Sequence, residues 1–260
     1  MRFQRRTLLQ ITPLALAHAQ TPQTETTPNV PATFPSHPPE LAREMVGVSH
    51  GNEARVRELL KAQPDLAKAS WDWGFGDWET ALGAASHVGN RPIANLLIDH
   101  GAPPTLFSAT MLGQLDVVKA LIAASPGVQR LAGPHSISLL NHAKAGGAQA
   151  KSVLDYLIQL GDADGPATQP LTEEALASIL GTYSFGPADN DRIDITVVKG
   201  QPMFRRAGAE ARRLFHLGDL TFHPAGAAPV RISFSPAGLL TIRNTFATVT
   251  AKRVSNATSR

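Results

Sequence analysis

Between residues 40 and 160 apolar positions recur at helical spacing in short blocks, and glycines punctuate the blocks. With Gly51, Gly89, Gly113 and Gly146 taken as the breaks, Leu82, Leu106 and Leu139 stand seven residues before the last three. Small or weakly polar pairs, such as Ala85-Ser86 and Ala109-Thr110, stand four and three residues before the break. A second apolar block follows each glycine: Val56, Leu59 and Leu60; Ile93, Leu96 and Leu97; Val117, Ala120 and Leu121; Leu154, Leu157 and Ile158. Steps of three and four residues place one apolar stripe on each helix. The pattern therefore predicts four pairs of short helices, each too thin to bury its stripe until a neighbouring pair stacks on it. Glu44, where the first pair should carry its inward leucine, suits an end pair with a wetted outer face.

Past residue 180 the period changes from helical to two. Ile193, Ile195 and Val197 alternate with Arg192, Asp194 and Thr196. Runs at 182–185, 192–199, 201–206, 212–217, 220–223, 230–235, 239–244 and 247–253 are short and separated by Gly, Pro or Asp. Such spacing predicts an antiparallel meander that curls into a barrel or sandwich. Residues 163–170 break both periods and read as a linker, and a helix is expected from Thr172, its N-cap, to Leu180.

The stretch from Thr80 to Ala102 closely resembles one ankyrin repeat. The helix-opening Thr80, the inward Leu82, small Ala85 and Ser86, the turn Gly89, then Ile93, Leu96, Leu97 and Gly101-Ala102 stand where that family's pattern wants them, with departures at Ala81, Gly83 and Pro92. Intervals between breaks of 38, 24 and 33 residues match the family's usual period only in the last case. The second half resembles the lipocalin-like β-domain at the C-terminus of serine β-lactamase-like hydrolases, through Leu180-Gly181-Thr182-Tyr183, the Gly200 hairpin, the run from Leu214 to Phe222, Arg231-Ile232-Ser233-Phe234 and Gly238-Leu239-Leu240. That resemblance implies an accessory or oligomerisation element without catalytic residues, and with it a homo-oligomer formed through the β-domain. The expected fold class is α+β multidomain: an α-helical ankyrin-repeat solenoid of about four repeats over 40–162, plus a small antiparallel β-barrel or sandwich over 171–254, with a tail at 255–260.

Targeting is read from the N-terminus. Arg2, Arg5 and Arg6 precede an apolar run and the small-x-small site Ala17-His18-Ala19, the form of a secretory signal peptide over residues 1–19. Arg5-Arg6-Thr7-Leu8-Leu9 resembles a twin-arginine signal, although Gln4 and Gln10 depart from its full pattern, and the general secretory route stays open. The proline- and threonine-rich residues 20–39 read as an extended spacer. The expectation is a periplasmic or secreted protein with no stable membrane anchor after cleavage. Of the charges, residues 20–165 carry 10 basic and 14 acidic, and residues 166–260 carry 11 and 7. Nucleic-acid binding needs a concentrated basic field and is not expected.

Function is expected to be non-catalytic protein binding. Trp71, Trp73, Phe75 and Trp78 lie in one ten-residue connection that holds four of the chain's fifteen aromatics, and tryptophan anchors partners strongly. Folding of these rings onto the first inter-pair interface is the competing reading. Two alternatives are a carrier of a small apolar ligand or lipid, with Phe204, Phe215, Phe222 and Phe234 as candidate lining, and an accessory subunit of a periplasmic hydrolase. Gly47-Val48-Ser49-His50-Gly51 satisfies the pattern of a hydrolase nucleophile elbow, but a helix rather than a strand is predicted before it. The nine histidines stand singly without paired spacing, and the chain has no cysteine, so no catalytic residue, metal site or cofactor is expected.

Overall fold

The computed structural model describes residues 32–165 and 167–255. The expected signal peptide over 1–19, the expected spacer up to residue 31 and most of the expected tail at 255–260 lie outside these residues. Residues 32–35 form a turn. Every helix and strand described below belongs to the compact unit that begins at His37.

The predicted helix pairs are α1 (Pro39–Val48) with α2 (Glu53–Ala62), α3 (Ala81–His87) with α4 (Arg91–Asp99), α5 (Leu106–Met111) with α6 (Leu115–Ala124), and α7 (Leu139–Ala145) with α8 (Lys151–Leu160). Their starts follow from side-chain caps: Asn52, Thr80, Asn90, Thr105 and Ser138 each accept from the backbone N–H three residues on. Each such cap contributes about 1 kcal/mol. The first helices pack side by side along the row α1, α3, α5, α7, while α2 meets α4 and α6 meets α8 behind them. Leu82, Leu139, Ile93, Leu97 and Leu157 are all buried as the periodicity predicts.

The turn glycines divide by mechanism. Gly89 and Gly113 are left-handed, both at φ 76°, and a Cβ on either would sit 2.2 Å from a carbonyl oxygen, that of Ala145 or Gln149. Gly51 is not left-handed and has open space around it. At the fourth turn Gly147 carries the positive φ, whereas Gly146 is needed because a Cβ there would meet Met111 O at 2.2 Å.

The β half closes fully. Strands β3 (Gly181–Ser184), β4 (Arg192–Val198), β5 (Gln201–Arg206), β6 (Arg212–Gly218), β7 (Thr221–Pro224), β8 (Arg231–Phe234), β9 (Leu239–Arg243) and β10 (Thr248–Ser255) form an eight-stranded antiparallel barrel in chain order, with β10 pairing back to β3, where β1 and β2 are the two strands of the hairpin described next. Closure removes the exposed sheet edge. One helix, α9 (Glu173–Ile179), capped by Thr172, stoppers one mouth: Ile179 joins the barrel core and Tyr183 Oη donates to its carbonyl at 2.8 Å.

The aromatic connection folds as a hairpin, β1 (Ser70–Asp72) and β2 (Trp78–Thr80). Its tip reverses through three successive left-handed residues, Gly74, Phe75 and Gly76, with Asp72 Oδ1 accepting from Gly74 N–H. Phe75 reaches the other barrel mouth and meets Phe204, ring centroids 5.8 Å apart. Among the described residues no helix is long and apolar enough to cross a membrane.

The two kinds of turn glycine make opposite expectations. Gly89→Ala should destabilise the chain by about 2 kcal/mol or more, because the new methyl overlaps backbone that cannot swing aside. Gly51→Ala should be neutral or slightly stabilising. Denaturant unfolding of both variants reads the difference directly.

Candidate functional site

The aromatic hairpin does more than connect two helix pairs. Trp71 and Trp73 are half-buried against the helical core, Phe75 is half-buried against the barrel core, and Trp78 alone stays 63% exposed. Of the candidate lining rings, Phe204, Phe222 and Phe234 lie within the barrel's packed core. Phe215 is on the opposite strand face from Leu214 and stacks on His223 at 4.9 Å. Ser49 is fully buried at the end of α1 and donates its hydroxyl to Met45 O at 2.7 Å, so it offers no exposed nucleophile.

The alternation of β2 turns Glu79 inward between exposed Trp78 and Thr80, and Glu79 is completely buried. Three histidines surround it. His50 follows the end of α1, His87 is the last residue of α3, and because α1 and α3 are neighbours these two rings lie 4.9 Å apart. His135 arrives from the loop before α7, which also packs on α3, and its ring lies 5.5 Å from that of His87. One donor atom from each of His50, Glu79, His87 and His135 falls within 4.8 Å of all the others. The expectation of histidines standing singly is thus corrected: they are single in sequence, but equivalent ends of stacked helices bring them together.

The electrostatics divide these rings. Burial holds His87 neutral, its pKa lowered to about 4 despite the Glu79 charge. Burial also disfavours charge on His135, but hydrogen bonding and attraction from Asp77 and Glu79 outweigh it and raise the pKa to about 9. Asp77, 2% exposed, accepts from the His135 backbone N–H at 2.9 Å, from its Nδ1 at 2.7 Å and from Arg212 Nη1 at 3.0 Å. For Asp77 and Glu79 alike, burial opposes ionisation and the histidine partners more than offset it, so both stay below the usual carboxylate range.

His135 and Ser136 are left-handed, at φ 58° and 59°, a strained conformation for non-glycine residues. Asp77 holds the first, and Ser136 Oγ accepts from Gly226 N–H at 2.8 Å in the barrel. The cluster borders a cavity of about 340 Å³ lined by Gly47, His50, Trp73, His135, Glu210, Ala211 and Arg212. Beside it, at the barrel mouth, a second cavity of about 430 Å³ shares Trp73, Glu210 and Arg212 and continues to Phe75, Phe204, Ile242 and Phe246. Comparison with protein-family models finds no match, and comparison with curated proteins finds none that is significant.

The opposed histidines predict a maximum in the pH dependence of stability. Between about pH 6.5 and 9 the folded chain holds the extra proton on His135, so stability falls as pH rises through that window. Between about pH 6.5 and 4 the unfolded chain takes up the proton that folded His87 refuses, so stability falls as pH drops. Denaturant midpoints measured across pH should peak near 6.5; His135→Gln should flatten the alkaline side and His87→Gln the acid side.

Proposed function

We propose that this protein binds a small, largely apolar molecule in the cleft where the barrel mouth meets the helical layer. The observation that carries this reading is the pair of adjoining cavities, apolar at the Phe75, Phe204 and Phe246 end and polar at the His50 and His135 end. Together they fall in the size range of small-molecule sites, which combine mostly apolar walls with a few convergent polar groups. Arg206 borders the apolar end, which favours a ligand with an anionic group. A recess of about 660 Å³ at the opposite mouth, around Ser178, Leu220 and Pro236, has no comparable cluster of ionisable groups among the described residues.

In the same reading the helix pairs are ankyrin-type repeats and the barrel is lipocalin-like. Support comes from the stacked pairs with left-handed Gly89 and Gly113 at their turns, and from the closed eight-stranded antiparallel barrel. The protein acts after export, as the basic start, apolar run and Ala17-His18-Ala19 site support.

A second reading, protein binding, is favoured by exposed Trp78 together with Val117 and Leu121 on α6 and Ile158 on α8, which leave apolar surface in water. Trp78→Ala separates the two readings: it should leave small-molecule binding untouched and remove any partner contact made through this ring.

An anionic naphthalene probe, 1-anilinonaphthalene-8-sulfonate, should bind with saturable one-to-one stoichiometry and blue-shifted emission. Phe246, 86% exposed at the mouth, contributes little to folding. Phe246→Ala should therefore weaken the probe about tenfold with unchanged melting temperature, and equal binding by the variant would contradict the site.

A further inference from the structure

The contacts around Glu79 fall into two classes. His135 Nδ1 to Asp77 is a hydrogen bond at 2.7 Å. The separations that converge on Glu79 are longer: His87 Nδ1 to Oε1 is 3.3 Å, His135 Nε2 to Oε2 is 3.4 Å, and His50 Nε2 to Oε2 is 3.6 Å. An ion held tetrahedrally by nitrogen and oxygen donors at about 2.0–2.2 Å sets its ligands about 3.4 Å apart. All three imidazoles stand near that distance from the carboxylate.

Two of these atoms also lack any other use. Glu79 Oε1 and His87 Nδ1 are buried and make no hydrogen bond. An unpaired buried polar atom costs about 1–3 kcal/mol, and a cation between the two would satisfy both. His135, His50 and Glu79 are oriented from behind. Asp77 accepts from His135 Nδ1, the Gly47 carbonyl accepts from His50 Nδ1 at 3.0 Å, and Trp73 Nε1 donates to Glu79 Oε2 at 2.8 Å. With Nδ1 protonated toward those acceptors, Nε2 of His50 and of His135 is the nitrogen presented to the centre. Partners of this kind, a carboxylate behind His135 and a carbonyl behind His50, fix ring orientation in metal sites.

We propose that His50, Glu79, His87 and His135 form a binding site for one divalent transition-metal ion of the zinc class, supported from behind by Asp77, Trp73 and the Gly47 carbonyl. Three imidazoles and one carboxylate suit zinc and its borderline neighbours rather than calcium or magnesium, which take oxygen ligands. The two large hydrophobic cores already hold the fold together, so the ion is not needed as a staple. His50 and His135 are about one-third exposed on the cavity wall, which leaves the ion reachable by a donor group entering the cleft. The site rests on the cluster alone and is independent of the apolar-ligand reading.

The test is titration of the chelator-stripped full chain with Zn²⁺ by calorimetry and with Co²⁺ by visible absorption. One ion should bind per chain, tighter than about 1 µM, and Co²⁺ should show the intense bands of four-coordinate geometry. His50 is the most exposed of the cluster's three histidines, so His50→Ala is the variant least apt to disturb folding; it should keep the metal-free melting temperature and lose at least about tenfold in Zn²⁺ affinity. Glu79→Gln should lose affinity as well, while His37→Ala, outside the cluster, should not. Weaker binding by the unaltered chain, or a loss smaller than tenfold in His50→Ala, overturns the site whatever the naphthalene probe does.

Discussion

The carboxylate of Asp77 is the point on which the arrangement turns. It belongs to the hairpin, yet it receives the backbone and side chain of His135 from the helical layer and the guanidinium of Arg212 from the barrel. Arg212, 8% exposed, is held in turn by donating from the same Nη1 to Ala225 O at 2.9 Å. A buried ionic network of this kind adds little against an apolar replacement, but losing one partner strands the other charge and costs about 3–5 kcal/mol. Space is as constrained as charge. Gly226 has φ 77°, and a Cβ there would lie 1.9 Å from the Asp77 carboxyl carbon, so the barrel must present a glycine to let the carboxylate in.

One ten-residue connection thereby serves both halves. Its Trp71 and Trp73 lie against the helical core, its Phe75 against the barrel core, and its Glu79 at the centre of three histidines. The strain of left-handed Phe75, His135 and Ser136 is concentrated at these junctions. Strain survives where surrounding contacts over-determine the conformation; here Phe75 meets Phe204 and Ser136 meets Gly226 across the boundary between helices and barrel, while Asp77 of the hairpin holds His135. The cleft is a product of that docking, since neither half supplies its walls alone.

Much of this was legible in the chain. Thr80 and Thr172 announced the starts of α3 and α9, and short runs bounded by Gly, Pro or Asp located all eight barrel strands to within a residue or two, because both signals act over a few neighbouring positions. Closure of β10 on β3 is long-range and could not be read beyond the choice of barrel or sandwich. The cluster was invisible for the same reason: His50 and His87 are 37 residues apart, and His135 another 48. A signal was nonetheless present, since His50 and His87 both lie at the ends of first helices, and stacked pairs bring such ends together. Aromatic concentration in the hairpin drew notice without revealing that three of the four rings turn inward. Gly51 and Gly146 carried the same letter as Gly89, but only the surroundings distinguish a left-handed turn from a close approach or from neither.

The central claim, that Asp77 couples the helical layer to the barrel, is tested most directly by a double-mutant cycle. Asp77→Asn, Arg212→Met and the double variant are compared with the unaltered chain by denaturant unfolding. The account predicts strong non-additivity: the double variant should be less destabilised than the sum of the single variants by clearly more than the roughly 0.5 kcal/mol expected of independent sites. Additivity within that margin would contradict it, for the two halves would then be held together by something other than this charge.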